Sequence, residues 1–397
     1  MTDDWLSALA ASRRFGMKPG LAAISETCRR LGNPQLRFRA IHVAGTNGKG
    51  AVAATLDACL GGGRYTSPHL VRLNERFFLR GHPIDDGTLA SAAARVAAVA
   101  GEGTTFFEAL TAVAYLVYAE AGADHVVLEC GLGGRLDATN VCRSELSVIT
   151  RIGLDHCDWL GETVEKIAAE KAGIVKPGVP VVLGRNVAAV REVVAARARA
   201  VGAPFYYAPD LASESEVPAG FSLRGGFNRE NAVTALAALR VLAGMGVASD
   251  PAGFGRVVWP GRFQEVGRFV VDGAHNPPAA AALVAALGDE KLDLVAGFCG
   301  DKAVDEVLRI LAPRVATAQA VRTNNPRSLT AEETAARMLA AGIEASAATS
   351  LGEALGRSSA ERRTLVCGSL FLAGEALVAL GAYPWSTERF DANERLR

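Results

Sequence analysis

The sequence predicts an α/β protein of two domains, each a parallel sheet with helices on both faces. Three observations predict it. Short apolar runs alternate with helical stretches through most of the chain, the pattern of strand–helix–strand units. The 397 residues, at about 100–200 residues per domain, suffice for two cores. Trp259-Pro260-Gly261-Arg262 follows a helical region and precedes a fresh strand, and Pro-Gly is a strong breaker pair. The division is therefore expected at 1–259 and 263–397.

In chain order the strand candidates before the boundary are Ala40–Ala44, His125–Cys130, Leu146–Thr150 and Pro180–Leu183. After it come Phe269–Asp272, Leu292–Gly297 and Leu365–Cys367. Strands buried on both faces read as continuous apolar runs rather than alternating ones, as in His125-Val126-Val127-Leu128. Helices are expected at Ala51–Leu60, Phe106–Ala121, Val164–Val175, Glu230–Leu242, Ala279–Leu287 and Ala331–Ala340. The tracts Ala92–Ala100 and Ala195–Ala200 are good helix formers, because alanine has the highest helix propensity.

Composition narrows the function classes. Half the residues are hydrophobic, and 42 Lys+Arg balance 42 Asp+Glu. A protein that grips nucleic acid or an anionic membrane carries a basic excess, so neither partner is expected and a small molecule is. The longest mainly apolar run, between Glu108 and Glu120, falls far short of the ~18 residues a spanning helix needs. Met1–Asp4 is acidic, without a basic-then-apolar signal pattern. Seven cysteines lie scattered with no Cys-x-x-Cys pair, which argues against a disulfide framework or zinc finger and for a reducing, cytoplasmic setting.

The sharpest local signal is Ile41-His42-Val43-Ala44-Gly45-Thr46-Asn47-Gly48-Lys49-Gly50. An apolar strand enters a loop of small residues, then a lysine and a helix. Glycines let backbone amides close around phosphate oxygens, and the helix start adds partial positive charge. Val43 stands where the general nucleotide-loop pattern wants its first glycine. On this loop alone, a Gly-rich turn joining strand to helix is the competing account.

Further blocks resolve that choice. Gly45-Thr46-Asn47-Gly48-Lys49-Gly50 resembles the phosphate loop of the folylpolyglutamate synthase and dihydrofolate synthase family, part of the Mur ligase superfamily. Tyr65-Thr66-Ser67-Pro68-His69-Leu70-Val71 with Asn74-Glu75-Arg76 resembles the family's signature loop. The run from Glu129 to Asn140, then Ile152–His156, Glu170–Ile174, Pro260–Phe263, Asp272–Pro277 and Gly368-Ser369-Leu370, follows in family order. The opening stretches Phe15–Leu21 and Leu31–Gln35 also match, and imply a short helix leading into the first strand. These blocks cover most of the chain.

The resemblance implies an N-terminal P-loop ATPase-type domain of the Mur ligase kind and a smaller, Rossmann-like C-terminal domain. It implies an ATP-dependent amide ligation in folate biosynthesis and one-carbon metabolism. A carboxylate on dihydropteroate or a reduced folate becomes an acyl phosphate, and the amine of L-glutamate displaces phosphate. Such chemistry gathers anions, so cations and oriented dipoles must dominate the site. By resemblance Gly45, Thr46, Asn47, Gly48, Lys49 and Gly50 hold the phosphates and Asn231 the adenine side, while Arg262, Asp272 and His275 reach ATP from the second domain. Two Mg2+ ions are implied, one on Ser67 and Glu129, another on His156, Glu129 and a carbamylated Lys171. A monovalent cation is a further expectation, and a monomer the expected state. Read without the family, Lys171 is a solvated helix lysine, Ser67 a turn residue, Glu129 a strand-end charge and His156 a helix-start polar group.

Three departures stand against the pattern. Ala51 replaces a serine after Gly-Lys-Gly, a loss of ~0.5–1.5 kcal/mol if one neutral hydrogen bond is involved. Gly61-Gly62-Gly63 stands where a helix end and short strand are usual, which would displace the loop carrying Ser67. Phe227-Asn228 replaces His-Gln on the adenine side. They leave two alternatives open: a dihydrofolate synthase alone, and a degenerate paralogue that binds ATP without ligating. A cell-wall Mur ligase is disfavoured, because the segment before Gly45 is too short for a nucleotide-sugar domain.

Overall fold

The alternating pattern becomes two separate sheets in the computed structural model, which describes residues 20–300 and 303–386. Among the described residues the first sheet contains β1 (Arg39–Ala44), β2 (Gly63–Tyr65), β3 (Phe77–Leu79), β4 (His82–Pro83), β5 (His125–Glu129), β6 (Ser144–Ile149), β7 (Val181–Leu183) and β8 (Phe205–Tyr207). Their order is β4-β3-β2-β5-β1-β6-β7-β8. From β2 to β8 every pairing is parallel, and β3 and β4 add an antiparallel edge. The second sheet contains β9 (Gln264–Val266), β10 (Phe269–Val271), β11 (Leu292–Ala296), β12 (Val315–Ala320), β13 (Ala345–Ala347) and β14 (Thr364–Cys367). It is ordered β13-β12-β11-β14-β10-β9, parallel except at β9. This is the expected α/β class, with the smaller Rossmann-like sheet second.

The chain groups into two compact units. Of the described residues, one takes those through Ser222 together with Glu230–Val257, and the other takes Leu223–Arg229 and those from Val258 onward. The break falls at Val257/Val258, and the short Leu223–Arg229 segment joins the second unit, which a single linear division cannot express. Of the opening stretch, Phe15–Pro19 lies outside the described residues; a helix follows at Ala22–Arg30.

The apolar run between Glu108 and Glu120 is a core helix, Phe106–Glu120, with every residue from Glu108 to Tyr118 buried. Thr105 and Glu108 cap its start reciprocally, Glu108 N–H donating to Thr105 Oγ1 and Thr105 N–H to Glu108 Oε2, and this fixes where the helix begins. No helix among the described residues is long and apolar enough to cross a membrane.

The three-glycine stretch corrects an expectation. The helix Lys49–Leu60 ends on Gly61 in the left-handed region (φ 72°), which glycine adopts without steric cost. Gly62 has no room for a side chain, since a Cβ there would meet His125 O at 1.9 Å. Gly63 opens β2, which pairs with both β3 and β5. The short strand is therefore present, and the Ser67 loop leaves its end in place.

Candidate active site

Strand β1 is apolar because both its faces are covered, and it delivers the phosphate loop at its carboxyl end. The loop is tied down on one side. Thr46 and Asn47 N–H both donate to Arg151 O, at 2.9 and 3.2 Å. Thr46 Oγ1 donates to Gly153 O, and Thr150 Oγ1 to Asn47 O. The N–H groups of Lys49, Gly50 and Ala51 open the helix Lys49–Leu60, and a helix start leaves such amides without intrahelical acceptors. Such amides can donate to an anion, and Ala51 offers its amide although it lacks a hydroxyl. Lys49 Nζ rests on Thr46 O at 3.1 Å, close over the loop.

Glycine is required here by crowding. A Cβ on Gly45 would lie 1.8 Å from Thr150 Oγ1, and one on Gly48 would lie 2.2 Å from Asn231 Oδ1, with φ at +153° and +89°. Asn231 is thus placed directly against the phosphate loop. Gly48→Ala combines a left-handed backbone with a clash, a strain of about 1–3 kcal/mol. It is expected to lower Tm by about 2–8 °C and nucleotide affinity at least about tenfold. Thermal unfolding and a binding titration check both.

Strand β5 runs beside β1, with Glu129 in register with Val43. Glu129 is buried, and its Oε2 accepts the N–H of Ser67 at 3.0 Å. The loop carrying Ser67 is held by Glu75, whose carboxylate accepts the N–H groups of Leu70, Val71 and Arg72 at 2.6–2.7 Å. Arg76 lies buried beside His69, donating from Nε to Nδ1 at 2.9 Å. Ser67 and Glu129, a hydroxyl residue and a carboxylate, are thus neighbours joined through the Ser67 backbone. Such hard oxygens suit Mg2+, with phosphate oxygens and water for its remaining positions.

Lys171 is not the solvated lysine that its Glu-Lys context suggests. It lies in the last turn of the helix Val164–Ala172 and is 4 % exposed. Burial, and then the charge of Lys49, bring its ammonium down to about 7; Cys130, Asp155 and Asp137 pull the other way. A buried amine in this state spends much of its time neutral. His156, unlike Glu129 and Lys171, is exposed. It sits at φ 52°, its N–H donating to Asp155 Oδ1 at 3.0 Å and its Nε2 3.8 Å from the same oxygen. Among the described residues no group of three His, Cys, Asp or Glu could hold a metal ion.

The second unit gathers its own candidates at the carboxyl end of β10. Asp272 is buried and accepts the N–H groups of Phe263 and Ala274, each at 2.7 Å. Burial raises its carboxyl above the usual range, and Arg262 opposes that. A Cβ on Gly273 would meet Arg262 Nη1 at 2.6 Å, so the guanidinium packs over this turn. His275 Nδ1 lies 2.8 Å from Gly273 O, and Asn276 caps the helix Pro277–Leu287.

Sequence reasoning assigns no role to Glu75 or Asp137. The signal for Glu75 is its place just after the Pro68–Val71 turn, whose amides need an acceptor. Asp137 lies inside the Glu129–Asn140 block, and only the fold shows what it holds.

Residues 43–197 match the Mur ligase middle domain, and residues 261–370 match the glutamate ligase domain of Mur ligases. The chain is 32 % identical to the dihydrofolate synthase/folylpolyglutamate synthase of Escherichia coli strain K12, over 95 % of each protein. The solved structure of E. coli FolC in complex with DHPP and ADP superimposes with a TM-score of 0.85, at 31 % identity, covering 95 % of this chain and 97 % of that one. A bifunctional folylpolyglutamate synthase/dihydrofolate synthase with Mn, AMPPNP and L-glutamate bound gives 0.81 at 30 %, covering 95 % and 98 %.

Proposed function

The chain belongs to the Mur ligase family, among the dihydrofolate synthase/folylpolyglutamate synthases, and from that premise we propose that it ligates L-glutamate to dihydropteroate and to reduced folates at the expense of ATP. The observation that carries the reading is one cluster in the first unit. A tethered phosphate loop, the Ser67–Glu129 pair and the buried Lys171 stand on neighbouring strands and the helix packed beside them. The ligands named in the solved relatives, ADP or AMPPNP, Mn, DHPP and L-glutamate, are those the reaction needs.

In the first step a carboxylate oxygen of the acceptor attacks the γ-phosphorus, the bond to the β,γ-bridging oxygen breaks, and ADP leaves. In the second the glutamate amine attacks the acyl carbon, inorganic phosphate departs, and the amine proton is released. Lys49 and the amides of Lys49, Gly50 and Ala51 stabilise charge on the transferring group. Arg262, Asp272 and His275 are the nucleotide-binding candidates of the second unit taken by itself, and Asn231 buttresses the phosphate loop of the first. Bound Mg2+ would offset negative charge on the phosphates. Ser67 and Glu129 would hold one ion. His156, Glu129 and a carbamylated Lys171 would hold a second.

Carbamylation requires a neutral amine, which attacks CO2 and loses a proton to give an oxygen-bearing side chain. The burial of Lys171 and the adjacent Lys49 charge both disfavour the ammonium and so supply the neutral amine, and the Lys49 charge attracts the carbamate once formed.

The test is phosphate release from Mg-ATP and L-glutamate, with dihydropteroate and, separately, tetrahydrofolate as acceptor. Glutamate-dependent release with both is expected. Release with dihydropteroate alone would restrict the enzyme to dihydrofolate synthesis. Release with neither, from folded chain that binds ATP, would overturn the ligase reading.

A further inference from the structure

Glu129 and Lys171 lie on different elements, and the chain between them must fix their spacing. The loop after Glu129 is organised by one buried carboxylate. Asp137 Oδ2 accepts the N–H of Leu132 at 2.9 Å. Its Oδ1 takes the N–H of Thr139 at 3.0 Å and the Thr139 hydroxyl at 2.5 Å.

From there the contacts run both ways. Toward the phosphate loop, Thr139 Oγ1 lies 2.8 Å from Nε2 of His42, which is fully buried on β1. The same His42 nitrogen lies 3.1 Å from the sulfur of Cys130, the residue after Glu129. Toward Lys171, Arg135 N–H donates to Glu170 O at 2.8 Å, and its guanidinium bonds the Glu170 carboxylate. A Cβ on Gly134 would meet the carbonyls of Glu170 and Lys171 at 2.9 Å. Asn140 Nδ2 spans Arg135 O and Gly173 O.

We infer that Asp137 is a positioning residue that, through Thr139 and the loop it closes, holds Glu129 and Lys171 in register with each other and with β1. Its bonds are to the loop itself, at Leu132 and Thr139. The inference rests on the ligase reading, because it concerns the same site. A carboxylate suits this position because several donors converge on its two oxygens, whereas an amide would turn an N–H toward at least one of them.

The test compares D137N, T139V and T139S in the full chain, with folding followed by circular dichroism. Two quantities are read: the kcat and KM of glutamate-dependent phosphate release, and Mn2+ affinity by EPR titration with AMPPNP present. D137N is expected to lower kcat and weaken Mn2+ by about 10–100-fold each, the usual range when support behind a metal ligand is lost, with the KM for ATP changed less than about threefold. T139V should show a smaller loss of the same kind, and T139S, which keeps the hydroxyl, should recover most of it. A purely structural role would lower Tm and leave kcat of the folded fraction and Mn2+ affinity unchanged, and that result overturns the inference. Should D137N not fold, the pair T139V and T139S decides, and equal behaviour of the two overturns it. Wild-type chain without phosphate release sinks the ligase reading instead, and the Mn2+ titration still judges Asp137.

Discussion

Lys171→Met is expected to remove at least about a thousandfold of the ligation rate while making the folded chain more stable at pH 7. The two effects share one cause. In the unfolded chain this ammonium titrates at its ordinary value of 10.5, and in the folded protein at about 7. Between those values the unfolded state holds a proton that the folded state has released, so stability rises with pH across the window. Below about 7 the full cost of burying the charge is present, and above about 10.5 it is gone. At one pKa unit per 1.36 kcal/mol, the cost near neutrality is about 3–5 kcal/mol. Methionine has no proton to lose and fits an apolar site. Urea unfolding of both proteins in CO2-free buffer checks this: the gap should be wide at pH 6–7 and close by pH 10–11. Parallel stability curves across that range would show that Lys171 is not desolvated as described. Wild-type activity should depend on bicarbonate, and full activity without it would exclude the carbamate.

Lys49→Ala is expected to cost about 10²–10³ in kcat, the range seen when one preorganised charge or donor is removed from a developing anion. Lys49 also lowers the Lys171 pKa, so its removal should let that pKa climb. Less of the Lys171 amine is then neutral at a given pH. The acid limb of the residual rate should move to higher pH, and more bicarbonate should be needed for half-maximal rate. Because the two lysines act on one site, Lys49→Ala and Lys171→Met should not add. Additive losses in the double variant, with an unmoved acid limb, would separate the two residues.

The central strands were legible because burial on both faces leaves a mainly apolar run. Ile41–Ala44, Val126–Leu128 and Leu292–Ala296 lie in β1, β5 and β11. What escaped had another character. Gly61-Gly62-Gly63 reads as replacing a helix end and short strand, yet Gly63-Arg64-Tyr65 is a strand because β5 and β3 supply partners. Val315–Ala320 is half alanine and carries no strand signal of its own, and β12 exists because β11 and β13 flank it. In the site, the loop around Lys49 was visible as a local string. The burial of Lys171 was not, since a Glu-Lys pair on a short helix looks solvated until the Gly134 loop covers it. The position of Asn231 depends on a contact between distant segments, and the bonds of Asp137 are local but take their meaning from where the loop meets His42 and Glu170, which no local pattern encodes.

The bonds from Thr46, Asn47 and Thr150 have a thermodynamic consequence. A glycine-rich loop free to wander would lose much of its conformational entropy on meeting a triphosphate, and its affinity would suffer accordingly. Here that entropy is given up when the chain folds, because Arg151, Gly153 and Asn231 already fix the loop's path. The nucleotide meets a rigid receptor, so the heat of binding should reflect contacts made rather than a loop being ordered. The cost of that rigidity falls on the stability of the fold, where the crowding at Gly45 and Gly48 leaves almost no tolerance for change.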